Sequence, residues 1–169
     1  AGDVLRTDAA SFVYADDRFD WQETAGDQVR VYTYAGADAT RLLLAAEESL
    51  ERLGQEIGVS LEEPVDIYVY ADERDMALAL PSRSERYDEM TTTLGIVMDE
   101  DSLLLLGDAD GVEGTLAHEL SHILVGQATD NPLGGLPRWL DEGLAMYAEG
   151  DLPANNAGAL RRAIRRDDL

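Results

Sequence analysis

The chain of 169 residues has no cysteine, no lysine and only two histidines. Without cysteine, neither a disulfide framework nor a thiolate metal site is possible. Without lysine, all 13 basic residues are arginine, set against 35 aspartates and glutamates for a formal charge of −22. So acidic a surface repels phosphate backbones and anionic lipid, which excludes nucleic acid and anionic membranes as expected partners. No apolar run approaches the ~20 residues that span a bilayer, so no membrane-spanning segment is expected in this chain. The chain starts Ala1-Gly2-Asp3 without a methionine, which is read as trimming of a targeting segment. It stops just after Leu160-Arg161-Arg162-Ala163-Ile164-Arg165-Arg166, a helical pattern in progress, and is read as an excised piece of a longer protein, truncated at its C-terminus.

What is present is enough for one core. Hydrophobic residues make up 45% of the chain, ordinary for a globular domain. Residues 1–20 are polar with scattered aromatics and read as an N-terminal arm or the remnant of a preceding region; residues 21–169 read as the domain. Val29-Arg30-Val31-Tyr32-Thr33-Tyr34 alternates with β-formers and predicts a first strand. Leu42, Leu43, Ala46, Leu50 and Leu53 recur at helical spacing, which predicts a helix over 37–54 stopped by Gly54. Val65-Asp66-Ile67-Tyr68-Val69-Tyr70 predicts a second strand, and 72–80 a short helix broken by Pro81. Residues 92–98 and 102–106 flank the acidic turn Asp99-Glu100-Asp101 and predict a hairpin. Helices are expected over 111–125, from Pro137 to about 149, and from about 153 onward. The order β-α-β-α-β-β-α-α-α predicts an α+β domain: a small mixed sheet followed by helices.

Both histidines fall on the 111–125 helix, in His118-Glu119-Leu120-Ser121-His122. Positions i and i+4 project from one helix face, so two imidazoles can hold one metal ion while the intervening glutamate reaches a water bound to it. Such a string also occurs by chance. A catalytic zinc site needs three protein ligands and an open fourth position. With no third histidine, the third donor must be an oxygen, and Trp139-Leu140-Asp141-Glu142-Gly143-Leu144-Ala145-Met146-Tyr147 offers Asp141 or Glu142 if the two helices pack antiparallel.

These two segments together resemble the gluzincin metallopeptidases, most closely the bacterial peptidase MA-like metallohydrolases, whose pattern is approximately HEL-x-H … P-x-W-L-x-E-G-x-A. Pro137, Trp139, Leu140, Glu142, Gly143 and Ala145 fall on the second pattern. The zinc aminopeptidases carry a similar segment with asparagine where Asp141 stands here. The close likeness spans about residues 115–149; a weaker one runs upstream, from Phe19-Asp20-Trp21 to the Tyr68-Val69-Tyr70-Ala71 strand. The resemblance implies a zincin-like fold with one Zn²⁺ per chain on His118, His122 and Glu142. It implies hydrolysis of peptide bonds by a metal-activated water, with Glu119 as general base. Zinc chemistry agrees, since the ion brings the pKa of bound water towards ~7 and polarises a carbonyl.

Further roles follow in outline. Metal-bound imidazoles usually donate their other N–H to a carboxylate, which makes Asp141 and Glu149 candidates. Tyr147 is a candidate oxyanion donor, against the alternative of a core residue. Leu94, Gly95, Ile96 and Val97 are candidates for an edge strand that pairs with extended substrate. Trp139 is expected as a helix-packing anchor. Asp108-Ala109-Asp110-Gly111 opens like a calcium loop but lacks its later ligands. The expected partner is a peptide or protein substrate, and the relatives implied are often exported, so an extracytoplasmic or secreted location is expected. The alternative to an enzyme is a non-catalytic zincin-fold binding module that retains the zinc.

Overall fold

The computed structural model describes residues 16–80, 95–98, 101–107, 109–129 and 136–150. In chain order the elements are β1 (Gln22–Ala25), β2 (Val29–Thr33), α1 (Ala39–Ile57), β3 (Val65–Tyr70), α2 (Glu73–Ala79), β4 (Gly95–Val97), β5 (Ser102–Leu106), α3 (Val112–Ala128) and α4 (Arg138–Ala148). The expected α+β class holds, with a mixed sheet ordered β1-β2-β3-β5-β4. β2, β3 and β5 run parallel at its centre, while β1 and β4 pair antiparallel at its two edges.

Period-2 alternation decides which residues face which layer. Val29 and Val31 on β2, Val65, Ile67 and Val69 on β3, and Leu103 and Leu105 on β5 form one apolar face. Against it lie α1, through Leu42, Ala46, Leu50 and Leu53, and α3, through Leu116, Leu120, Ile123 and Leu124. Each of these leucines, fully withdrawn from water, contributes roughly 1.5–3 kcal/mol before ordering costs. The opposite face, with Tyr70, Ile96 and Leu104, takes α2 through Met76 and Ala79. Phe19 stacks on Tyr34 at 3.8 Å between ring centroids, and Trp21 meets Tyr34 and Tyr70 edge-on. Ahead of them the buried carboxylate of Asp16 accepts hydrogen bonds from Arg18 Nε at 2.7 Å and Tyr70 Oη at 2.8 Å. The Arg18 hydrogen bond holds the Asp16 carboxyl below the usual carboxylate range, against the effect of burial.

Three expectations need correcting. β1 was not anticipated: Gln22-Glu23-Thr24-Ala25 is a polar edge strand with no apolar alternation to reveal it. The first helix does not stop at Gly54. It runs to Ile57 and ends at Gly58, whose φ of 81° is the left-handed C-terminal turn. Gly54 instead accepts from the Gly58 and Val59 amides through its carbonyl, and a Cβ there would lie 2.8 Å from the Val59 oxygen. Glycine is required because the chain folds back over it, not because the helix ends. Trp139, expected as a packing anchor, is 75% exposed. Residues 92–94 of the hairpin and the helix expected from about 153 lie outside the described residues. Among the described residues, no helix is long and apolar enough to cross a membrane.

Candidate metal centre

α3 is buried nearly all round, by the sheet, α1 and α4. A helix so placed is apolar on most faces, and polar residues on it stand out as exceptions. Four residues of the motif break the pattern. His118 and His122 keep about a fifth of their side chains exposed. Glu119 is 7% exposed and Ser121 1%. Ser121 Oγ has no hydrogen-bond partner among the described residues, which puts it on the packed side of α3 and not in the open site.

The imidazoles of His118 and His122 are 5.0 Å apart between ring centroids. α4 packs against α3 antiparallel, so its start meets His122 and its end meets His118. Pro137 opens α4, its fixed φ already helical and its missing N–H no loss at a helix start. Glu142, one turn in, brings Oε2 to 3.8 Å from His118 Nε2. His118, His122 and Glu142 each offer a donor atom, and these donors lie within 4.8 Å of one another. Donors around a tetrahedral zinc sit about 3.4 Å apart, given ligand distances of about 2.0–2.2 Å. Small side-chain rotations cover the difference, so the three could hold one divalent ion, with two imidazole nitrogens and one carboxylate oxygen suiting zinc chemically.

The other ring nitrogens face carboxylates. Glu149 Oε1 lies 2.5 Å from His118 Nδ1, and Asp141 Oδ2 lies 3.1 Å from His122 Nδ1. An ionised carboxylate only accepts, so the proton of His118 belongs on Nδ1 and the lone pair on Nε2, the nitrogen that points to Glu142. Asp141 biases His122 the same way electrostatically. Asp141 and Glu142 therefore separate by position: the shorter side chain backs a histidine from behind, and the longer one reaches the convergence point. Arg138 Nε, one turn before Glu142, approaches its other oxygen at 3.8 Å.

Asp141, Glu142, Glu149 and Glu119 thus lie about the two imidazoles, a donor set that could hold a cation. Glu119 stands apart from the other three because it is buried. Burial pushes its pKa up; the two histidines oppose this, and Glu142 and Glu149 add to it. It packs against the sheet edge so closely that a Cβ at Gly95 would lie 2.8 Å from Glu119 Cγ and 3.0 Å from Thr115 Cγ2. Sequence reading put Gly95 in a strand but overlooked this approach. An isolated glycine in a strand pattern is itself the signal for a close neighbour.

β4 is the edge of the sheet among the described residues, beside α3. The Met98 amide donates to the Ser102 carbonyl at 2.9 Å, and register then pairs Ile96 with Leu104. Backbone groups alternate in direction along an antiparallel pair, so Ile96 turns its N–H and C=O to β5, while Gly95 and Val97 turn theirs away from it. Ile96 is 4% exposed, and Leu94 lies outside the described residues. Tyr147 is 55% exposed, which removes the core reading for it.

The Peptidase MA superfamily matches residues 45–169, well over half of the chain and inclusive of both helices of the site. No curated protein and no solved structure matches it.

Proposed function

The chain belongs to the Peptidase MA superfamily, and from that membership we propose that it is a zincin-like zinc metallopeptidase domain, residues 21–169, acting on peptide or protein substrates. The observation that carries the proposal is the convergence of His118, His122 and Glu142 from two antiparallel helices. In this reading those three residues hold the ion through His118 Nε2, an imidazole nitrogen of His122 and a Glu142 oxygen, leaving a fourth position open. Bound there, zinc would polarise the scissile carbonyl and make water acidic enough to lose a proton near neutral pH.

The chain's own groups do the rest. Glu149 and Asp141 hold the imidazoles by their Nδ1 atoms, so neither ring must reorient during turnover. Glu119 accepts the proton of the attacking water as its oxygen bonds to the carbonyl carbon. It then delivers that proton to the amide nitrogen as the C–N bond breaks. Its buried position, with pKa raised, suits a group that must both take and give a proton. In this reading substrate adds one strand at β4, pairing with the backbone groups of Gly95 and Val97 that point away from β5, with the scissile bond beside Glu119.

The zinc-loaded protein is expected to cleave a mixed peptide library, to stop when chelator removes the metal, and to recover when zinc is restored. Zinc bound without cleavage would favour the non-catalytic binding module instead. The contact at Gly95 gives a second expectation. Gly95→Ala displaces Glu119 by the better part of an ångström, and misplacement on that scale costs about 10²-fold in rate. Chelator competition should show zinc affinity unchanged, because neither residue is a ligand. An unchanged rate would mean that Glu119 need not sit against β4.

A further inference from the structure

Glu149 reaches His118 from just beyond the last residue of α4, where helices commonly fray. Two local features hold this end. Ala148 is 2% exposed in the main core, and Gly150 leaves the helix at φ 100° with its amide on the Tyr147 carbonyl at 3.2 Å. A third comes from α1: Arg52 donates Nη2 to the Ala148 carbonyl oxygen at 2.7 Å. That carbonyl belongs to the peptide unit whose nitrogen is Glu149's own. The unit is planar, so a guanidinium gripping its oxygen fixes the orientation of the bond from which Glu149 starts. Glu56, one turn further along α1, holds Arg52 Nη1 at 3.5 Å from the other side. The Arg52 side chain is 39% exposed, so this ion pair adds little by itself, and the bond to the carbonyl is the contact that matters. The position also sets a positive charge at the C-terminal end of α4, where unpaired carbonyls gather.

We infer that Arg52 is a positioning residue for the metal centre: it orients the Ala148–Glu149 peptide so that Glu149 backs His118, and so tunes affinity for the ion from outside the site. The inference rests on the zinc reading above. Neighbouring chain positions gave no hint of it, since Arg52 and Ala148 meet only through the packing of α1 against the α3–α4 pair.

The test is a double-mutant cycle on zinc affinity, measured by chelator competition on the metal-free protein. Arg52→Met keeps an unbranched stem and removes the donors; it is expected to weaken zinc about 10-fold, the lower range for outer partners of a metal ligand. Arg52→Lys, which retains a donor, should recover most of the loss. In a Glu149→Gln background, Arg52→Met should change affinity by less than about twofold, because the group it positions is already disabled. General loosening of the fold would instead cost the same in both backgrounds. An Arg52→Met protein that binds zinc as tightly as wild type, or an additive cycle, overturns the inference while leaving the zinc site standing. A wild-type chain that takes up no zinc overturns the metal reading and this inference together.

Discussion

Glu119→Gln is expected to keep zinc affinity within about twofold while lowering peptide hydrolysis by about 10²–10⁴-fold, the range attributed to a positioned general acid–base group. The substitution suits the site. Glutamine has the shape of glutamate, so the close packing against Gly95 and Thr115 survives. It is neutral, which a residue 7% exposed tolerates well, given that burial already disfavours the Glu119 charge. What it cannot do is accept a proton from water. The loss should therefore fall on kcat, read from initial rates on a peptide cleaved by wild type. A variant that hydrolyses at the wild-type rate would remove Glu119 from the chemistry. One that loses its zinc would make it a ligand.

Glu142→Ala is expected to weaken zinc by more than about 100-fold, and Asp141→Ala by about 10-fold, since a direct ligand contributes more than its outer partners. The two positions are adjacent, both carry carboxylates and both are partly exposed, so the contrast isolates geometry. Glu142 Oε2 points at His118 Nε2, whereas Asp141 Oδ2 sits behind His122 at Nδ1. Chelator competition on both variants reads the difference directly. The reverse order would transfer the third ligand to Asp141.

The chain wrote some of this plainly. Val65–Tyr70 alternates because one face of β3 meets α1 and α3 and the other meets α2 and the aromatic cluster. His118 and His122 are legible for a similar reason: helical spacing alone puts them on one face. Glu142 became legible only through the likeness of its segment to a family pattern, because nothing local distinguishes it from Asp141. The rest depends on contacts between distant parts of the chain. β1 is held by pairing with β2, which a polar four-residue strand cannot announce. Gly54 and Gly58 are both plausible helix ends, and only the fold-back of Val59 tells which is which. Trp139 is aromatic and sits in a patterned segment, yet α4 turns it outward. Arg52 is one of thirteen arginines until α4 ends beside it.

The central claim is that His118, His122 and Glu142 share one zinc ion. Anomalous scattering recorded on both sides of the zinc absorption edge, from crystals of the zinc-loaded chain, tests it most directly. The expected result is a single strong peak within about 2.0–2.2 Å of a nitrogen of each histidine and a Glu142 oxygen. Crystals with no peak between the two histidines, or with one that Glu142 does not reach, would contradict it.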